Sequence, residues 1–283
     1  MQEIELRRIP NALSTIRLNK SLAPQLTASN ADTIIRDADT REVVACQIKM
    51  PELKEEGRQL ARLLRFTKQP WSDPRGNQKV SNRLSGIGSN NITFGHTAPN
   101  AMFKHYATVV APVHTQNIPT ANLFEKIAQP MWRKFNELLP DEASKHLAIT
   151  ASNIHPDWWI NETPFSSGIC NDISVLPYHK DQGNLKDAWS MMLCLRNKVG
   201  GGHLHLPEYD HTFAIDDLSL LLFCGQKTVH GVTPFIVSSK ESYRFTIVFY
   251  TKTQIAKCGP ATTEVRRAQL ASTNRDDKLK QLK

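Results

Sequence analysis

The 283-residue chain is 40% hydrophobic and 22% charged, a make-up that excludes a disordered protein and allows one or two domains with a substantial core. Its longest apolar runs, Leu218–Cys224 and Phe245–Tyr250, are too short to cross a bilayer, and the opening MQEIELRR lacks a signal-peptide stretch. An intracellular protein with no membrane partner is therefore expected, and the net charge of +8 favours an anionic partner, most commonly nucleic acid. The five cysteines (Cys46, Cys170, Cys194, Cys224 and Cys258) lie far apart with no CxxC pair, as reduced, buried thiols would.

In chain order, Ile34–Asp37 and Val43–Ile48 are apolar-rich strand segments joined by DADTRE, which predicts a hairpin. Pro51–Phe66 reads as an amphipathic helix with Leu53, Leu60, Leu63 and Leu64 at helical spacing. Thr67–Asn100 is polar and rich in Gly and Asn, carries Arg75, Lys79 and Arg83, and is expected to form a functional loop system. A helix over Asn122–Leu139, stopped by Pro140, and a shorter one near Asp141–His146 follow.

After Trp159 the texture changes to short apolar runs: Ile173–Tyr178, Trp189–Arg196, His203–Leu206, Thr212–Ile215, Leu218–Phe223, Val229–Pro234 and Arg244–Lys252. Turn residues separate them, among them Gly200-Gly201-Gly202, Asp216-Asp217 and Ser238-Ser239. Seven such strands predict an antiparallel sandwich or barrel. From Thr253 onward a polar tail with Arg266, Arg267, Arg275, Lys278, Lys280 and Lys283 reads as a helix with a frayed end. The expected fold is α+β in one domain: a helical and loop extension over 1–165, a β core over 166–253, and a basic tail over 254–283.

The sharpest chemical signal is His179-Lys180-Asp181. In extended backbone, residues i and i+2 point to one side, so the imidazole and carboxylate converge. His230 follows 49 residues after Asp181, at the start of the penultimate strand, and completes a 2-His-1-carboxylate face suited to Fe(II) with positions left open. Arg244 opens the last strand, with Thr246 on the same face; a guanidinium there can grip a dicarboxylic cosubstrate, and the hydroxyl adds a hydrogen bond. HxD alone is a common chance match, and ten histidines make a later His easy to find. The positions at strand ends are what favour iron and 2-oxoglutarate. His203 and His205 alternate without a carboxylate at ligand spacing and read as structural or surface residues.

With HKDQGN (His179–Asn184), GGGHLHLPEY (Gly200–Tyr209), LLLFCGQKTVHGVTPF (Leu220–Phe235) and YRFTIVFYTK (Tyr243–Lys252), the segment from Tyr178 to Lys252 resembles Fe(II)/2-oxoglutarate dioxygenases. More narrowly it resembles their TET/JBP branch, which oxidises the 5-methyl group of pyrimidines in nucleic acid. That resemblance implies a double-stranded β-helix (jelly-roll) core with N-terminal helices packed on it. It implies Fe(II) held by His179, Asp181 and His230, 2-oxoglutarate held by Arg244 with Thr246, and O2 as cosubstrate. It further implies Asn184 on the target base and Tyr250 stacked on it, against the alternatives of a turn residue after Gly183 and ordinary strand packing.

Lys252 departs from the His that cytosine-oxidising relatives tend to carry at that position, eight residues past Arg244. A lysine only donates, so it serves cytosine O2 or N3 and equally thymine O4. The expected activity is oxidation of 5-methylcytosine in double-stranded DNA to 5-hydroxymethylcytosine, with further oxidation left open, the base being flipped out and the protein a monomer. Arg75, Lys79 and Arg83 are candidates for phosphate contacts, with a solvated surface as the alternative, and for the basic tail the solvated surface is the preferred reading. Thymine in DNA, a peptide or a small molecule remain as alternative substrates, with Trp158 and Trp159 then serving as pocket or packing residues. A non-catalytic jelly-roll binding module is a third reading.

Overall fold

The computed structural model describes residues 1–71, 90–99, 108–173 and 175–281. The N-terminal part supplies β1 (Gln2–Leu6), β2 (Thr33–Asp37) and β3 (Val43–Lys49). β2 and β3 form the expected antiparallel hairpin, closed by Asp37 Oδ1, which accepts from the backbone N–H groups of Asp39 and Thr40. A 3-10 turn over Pro51–Leu53 leads into α1 (Lys54–Phe66), which buries Leu60 and Leu64. Then come β4 (Asn90–Thr97), β5 (Val109–Val110), α2 (Val113–Gln116), α3 (Ile118–Leu138) and α4 (Pro140–Asn153). Asn117 starts α3 by accepting the Thr120 N–H on its side chain.

The second half supplies β6 (Ser167–Asp172), β7 (Ser190–Asn197), β8 (Val199–Gly201), β9 (Leu204–Leu206), β10 (His211–Phe213) and β11 (Ser219–Phe223). It ends with β12 (Gly231–Val232), β13 (Phe235–Val237), β14 (Tyr243–Tyr250) and α5 (Ala261–Gln281).

Nine strands make one large sheet in the order β1-β2-β3-β11-β7-β14-β6-β4-β5, antiparallel throughout except for the parallel edge pair β1–β2. A three-stranded sheet, β10-β9-β12, and the ribbon β13-β8 complete the β structure. Alternation along β14 and β7 gives the large sheet two buried faces. Phe245, Ile247 and Phe249, with Met191, Leu193 and Leu195, share a core with Leu60 of α1 and Phe124, Ile127 and Phe135 of α3. There Phe94 stacks on Phe124 at 4.3 Å and meets Phe249 edge-on at 4.9 Å, tying β4, α3 and β14 together. On the other face Met192, Cys194, Leu221 and Phe223 pack with Leu204 and Leu206 of the small sheet. All five cysteines are free and buried.

Several boundaries differ from those expected. The strand expected at Ile173–Tyr178 is not found among its described residues: Ile173 adopts φ +41°, Pro177 brings no N–H, and a strand lies earlier, at Ser167–Asp172. The polar stretch Thr67–Asn100 ends in a strand, β4, which pairs with β6 over six residues. Arg75, Lys79 and Arg83, in the rest of that stretch, lie outside the described residues, as does Lys283. The glycine run at 200–202 is partly strand, since Gly200 and Gly201 of β8 pair with β13. Gly201 and Gly202 carry φ of +67° and +69°, which bends the ribbon back on itself. The short helix expected at Asp141–His146 continues to Asn153, because His146 and Thr150 are buried polar residues that disguise its inner face.

Candidate metal centre and the pocket around it

His179 and His230 enter the site as an isolated antiparallel bridge. His179 Nδ1 lies 2.8 Å from the Pro177 carbonyl and His230 Nδ1 lies 2.9 Å from the Thr228 carbonyl. Carbonyls only accept, so both imidazoles carry their proton on Nδ1 and turn the Nε2 lone pair toward the shared space. Asp181 Oδ1 faces both, 3.5 Å from His179 Nε2 and 3.9 Å from His230 Nε2. Ligand atoms from the three side chains lie within 4.8 Å of one another, the only such group of three among the described residues.

Electrostatics match the geometry. Burial holds the His230 pKa below the ordinary imidazole range, which keeps it neutral. Asp181 and His179 perturb each other the other way: against burial, their contact raises the imidazole above its ordinary range and holds the carboxylate low, so a cation would displace the proton they share. Two imidazole nitrogens and one carboxylate oxygen, with backbone carbonyls orienting the rings, form a donor set that fits a divalent iron. Asp181 is fixed from behind by Gly225, whose carbonyl accepts the Asp181 N–H at 2.9 Å. A Cβ at 225 would stand 2.2 Å from Asp181 Oδ2.

The three residues line a cavity of about 420 Å³ together with Arg244, Thr246, Asn184, Tyr250 and Lys252. The structure thus brings every candidate site residue to one place. Arg244 is 2% exposed and donates through Nη2 to the Gly202 carbonyl at 2.7 Å. Its Nε is buried without a partner, and no carboxylate pairs with it among the described residues. A buried, unpaired guanidinium is costly unless a ligand anion completes it, so this end of the pocket fits the carboxylate of a dicarboxylic acid. A Cβ at Gly202 would lie 2.9 Å from Arg244 Nε, so glycine is what lets the guanidinium reach that carbonyl.

Asn184 Nδ2 donates to Asp181 Oδ2 at 3.4 Å and to Ser190 Oγ at 3.2 Å. With its amide hydrogens directed at protein oxygens, the side chain has its Oδ1 acceptor left for a ligand. Lys252 pairs with Asn184 as an isolated bridge. Burial lowers the pKa of its ammonium, which has no ion-pair or hydrogen-bond partner among the described residues. Burial also pushes the Tyr250 phenol up to about 12, keeping it neutral.

The pocket contains residues the sequence reading did not single out: Asn91 of β4, Asn171 and Ile169 of β6, and Met192 and Val248. Their signal was the alternation of β6 and β14, which puts Ile169 and Asn171 on the face shared by Thr246 and Val248. His205 is buried, 2.6 Å from the Tyr178 hydroxyl, and braces the segment before His179. Trp158 packs with Ile255 and Cys258 and donates to the Gly259 carbonyl, away from the pocket. No helix among the described residues is long and apolar enough to cross a membrane.

A His-Asp-His cluster and a buried arginine thus line one cavity of this fold, a set that suits an oxygenase of the iron and 2-oxoglutarate class. The model of the Tet_JBP family, the oxygenase domain of the 2OGFeDO superfamily, matches residues 100–253, and the chain belongs to this family. Membership implies Fe(II), 2-oxoglutarate and O2 as its metal and cosubstrates. Among solved structures, NgTET1 in complex with 5mC DNA superposes with a TM-score of 0.58 at 14% identity, over 89% of each chain. OsALKBH1 is similar at a TM-score of 0.42 and 9% identity, covering 72% of this chain and 97% of that one. A 2OG-Fe(II) oxygenase family oxidoreductase from Burkholderia pseudomallei gives 0.42 and 10%, covering 73% and 85%. A search among curated proteins gave no match.

Proposed function

We propose that the protein oxidises the 5-methyl group of 5-methylcytosine in double-stranded DNA to the 5-hydroxymethyl form, on a double-stranded β-helix core. His179, Asp181 and His230 would hold Fe(II), and Arg244 with Thr246 would hold 2-oxoglutarate. Bound Fe(II), with 2-oxoglutarate and O2, supplies the oxidising power that turns a methyl C–H into C–OH while the cosubstrate becomes succinate and CO2. The chain supplies position. The target base is extruded from the duplex, because a stacked base cannot reach a cavity of this kind, and the neutral ring of Tyr250 offers it a stacking face. A DNA partner is supported by the net charge of +8 and by the fold shared with NgTET1, whose structure holds 5mC DNA.

The observation that carries the choice of base is the orientation of Asn184. Its amide is tied to Asp181, so it stands beside the metal face, where the C4 substituent of a base must lie if its C5 methyl faces the metal. The free acceptor Oδ1 suits the N4 amino donor of cytosine and opposes the O4 acceptor of thymine. Lys252, next to Asn184, would donate to N3 or O2. The test is nucleoside mass spectrometry on duplexes in which the only 5-methyl base is methylcytosine or thymine. 5-Hydroxymethylcytosine should form, and 5-hydroxymethyluracil should trail it by about ten-fold or more. The reverse order would move the assignment to thymine.

A further inference from the structure

The cavity at the candidate metal face opens at Gly183. Among the described residues that line the cavity it is the exposed one, and a Cβ placed on it would meet nothing within 4 Å. The chain around it is built as a rim. Leu185 donates its N–H to the Thr251 carbonyl at 2.7 Å, and Thr253 donates its N–H to the Gly183 carbonyl at 3.0 Å. Thr253 Oγ1 donates to the Asn184 carbonyl at 2.8 Å. These contacts extend the Asn184–Lys252 bridge on both sides, so two antiparallel segments pass the opening.

Beyond the bridge the two segments run apart, and each carries an exposed lysine. Lys186 lies two residues, roughly 7 Å, past Asn184, and Lys257 closes the 3-10 turn Thr253–Lys257, roughly 11 Å past Lys252 in the other direction. Neither ammonium has an ion-pair or hydrogen-bond partner among the described residues. The neighbouring acids are already engaged. Asp187 pairs with Lys227 at 3.1 Å. Asp157 sits on the turn whose Trp158 packs against Ile255; it accepts the Ala261 N–H and pairs with His155. The uncompensated charge of the rim is therefore positive, and it stands on both sides of the opening.

We propose that Lys186 and Lys257 hold the DNA strand by the phosphates that flank the extruded nucleotide. The inference rests on the reading that a base in DNA is the substrate. An extruded base enters the cavity while the phosphates on either side of it stay outside, one along each direction of the strand. Two unpaired ammonium groups that straddle the opening meet that arrangement, and contacts of this kind fix the register of the strand without reading its sequence. Gly183 suits the same role, because a side chain there would project into the opening through which the base passes.

The experiment measures duplex binding by fluorescence anisotropy over a range of salt concentrations, with the protein loaded with Fe(II) and 2-oxoglutarate and kept free of O2. Each phosphate contact contributes about 0.9 to the slope of log affinity against log salt. The double variant Lys186→Ala/Lys257→Ala should lower the slope by about 2 and weaken methylated and unmethylated duplexes alike, while the KM for 2-oxoglutarate in turnover stays unchanged. Lys240→Ala is the control. Lys240 is an exposed, unpaired lysine just before β14, at the Arg244 end of that strand and roughly 25 Å from the rim, so its loss should leave the slope where it was. A slope unmoved in the double variant, or lowered as much by Lys240→Ala, would overturn the inference while the DNA reading stands. An unaltered protein with no salt-dependent affinity for duplex DNA would overturn that reading, and this inference with it.

Discussion

His179 and His230, 51 residues apart in the chain, exchange both backbone hydrogen bonds, at 2.9 and 3.0 Å, and their rings stand 4.3 Å apart. The two imidazoles are set by a ladder contact rather than by loop conformation, and Asp181 reaches the same space from two residues along. The candidate metal face is therefore positioned by backbone pairing, the arrangement a rigid catalytic centre needs.

Asp181→Ala removes the anionic ligand and should abolish both Fe(II)-dependent succinate release and base oxidation. A subtler test is Gly225→Ala, which places a methyl against Asp181 Oδ2 without touching a proposed ligand residue. Fe(II) affinity should drop by about 10- to 100-fold, the usual effect of disturbing a ligand's support. Isothermal titration under anaerobic conditions measures it, and unchanged affinity would show that Asp181 is not held from behind as described.

Arg244→Ala should raise the KM for 2-oxoglutarate by about 10- to 100-fold, the worth of a charged hydrogen-bonded pair. Arg244→Lys should rescue it only in part, since an ammonium cannot make the paired contact. Succinate formation against cosubstrate concentration reads both.

Lys252 provides a pH signature. Its half-buried ammonium has a pKa below the ordinary lysine range, so the donor is lost as pH rises, earlier than for a free lysine. kcat/KM for DNA should fall on the alkaline side below pH ~10.4, the ordinary lysine value. In Lys252→Arg that limb should move to higher pH, while the KM for 2-oxoglutarate stays unchanged. An identical alkaline limb in the variant would remove Lys252 from the base contact.

His146 ties stability to pH. Its Nδ1 accepts the Trp189 N–H at 3.0 Å and its Nε2 donates to the Pro164 carbonyl at 2.9 Å, so the ring is buried neutral. Burial brings its pKa down to about 4 from an ordinary 6.5. Between those values the unfolded chain binds more protons, so stability is complete above pH ~6.5 and falls as acid approaches pH 4, by up to about 3 kcal/mol. Urea unfolding from pH 7 to pH 4 measures the slope, which His146→Gln should flatten.

The candidate site was legible because its residues sit on short extended segments. HxD needs only period-2 alternation, and YRFTIVFY shows its two faces openly, Phe245, Ile247 and Phe249 against Arg244, Thr246 and Val248. β4 was hidden because its pocket face carries Asn91 and Thr93, which read as loop residues when the sheet behind them is unknown. β8 was hidden for the opposite reason, since its glycines signal a turn while their left-handed φ serves the close ribbon around Arg244. Ile173 misled because its apolar side chain says strand and its backbone does not. The meeting of Ile169 of β6 and Met192 of β7 beside Val248 in the pocket depends on register between three strands, which no single segment of sequence contains.

The most direct test of the central claim measures two products in one reaction. A duplex carrying 5-methylcytosine is incubated with the protein, Fe(II), 2-oxoglutarate and ascorbate, and succinate and 5-hydroxymethylcytosine are quantified together, with Asp181→Ala in parallel. The account predicts that both accumulate in equal amounts and that both vanish in the variant. Succinate released with no oxidised cytosine, or oxidised cytosine that survives in Asp181→Ala, would contradict it.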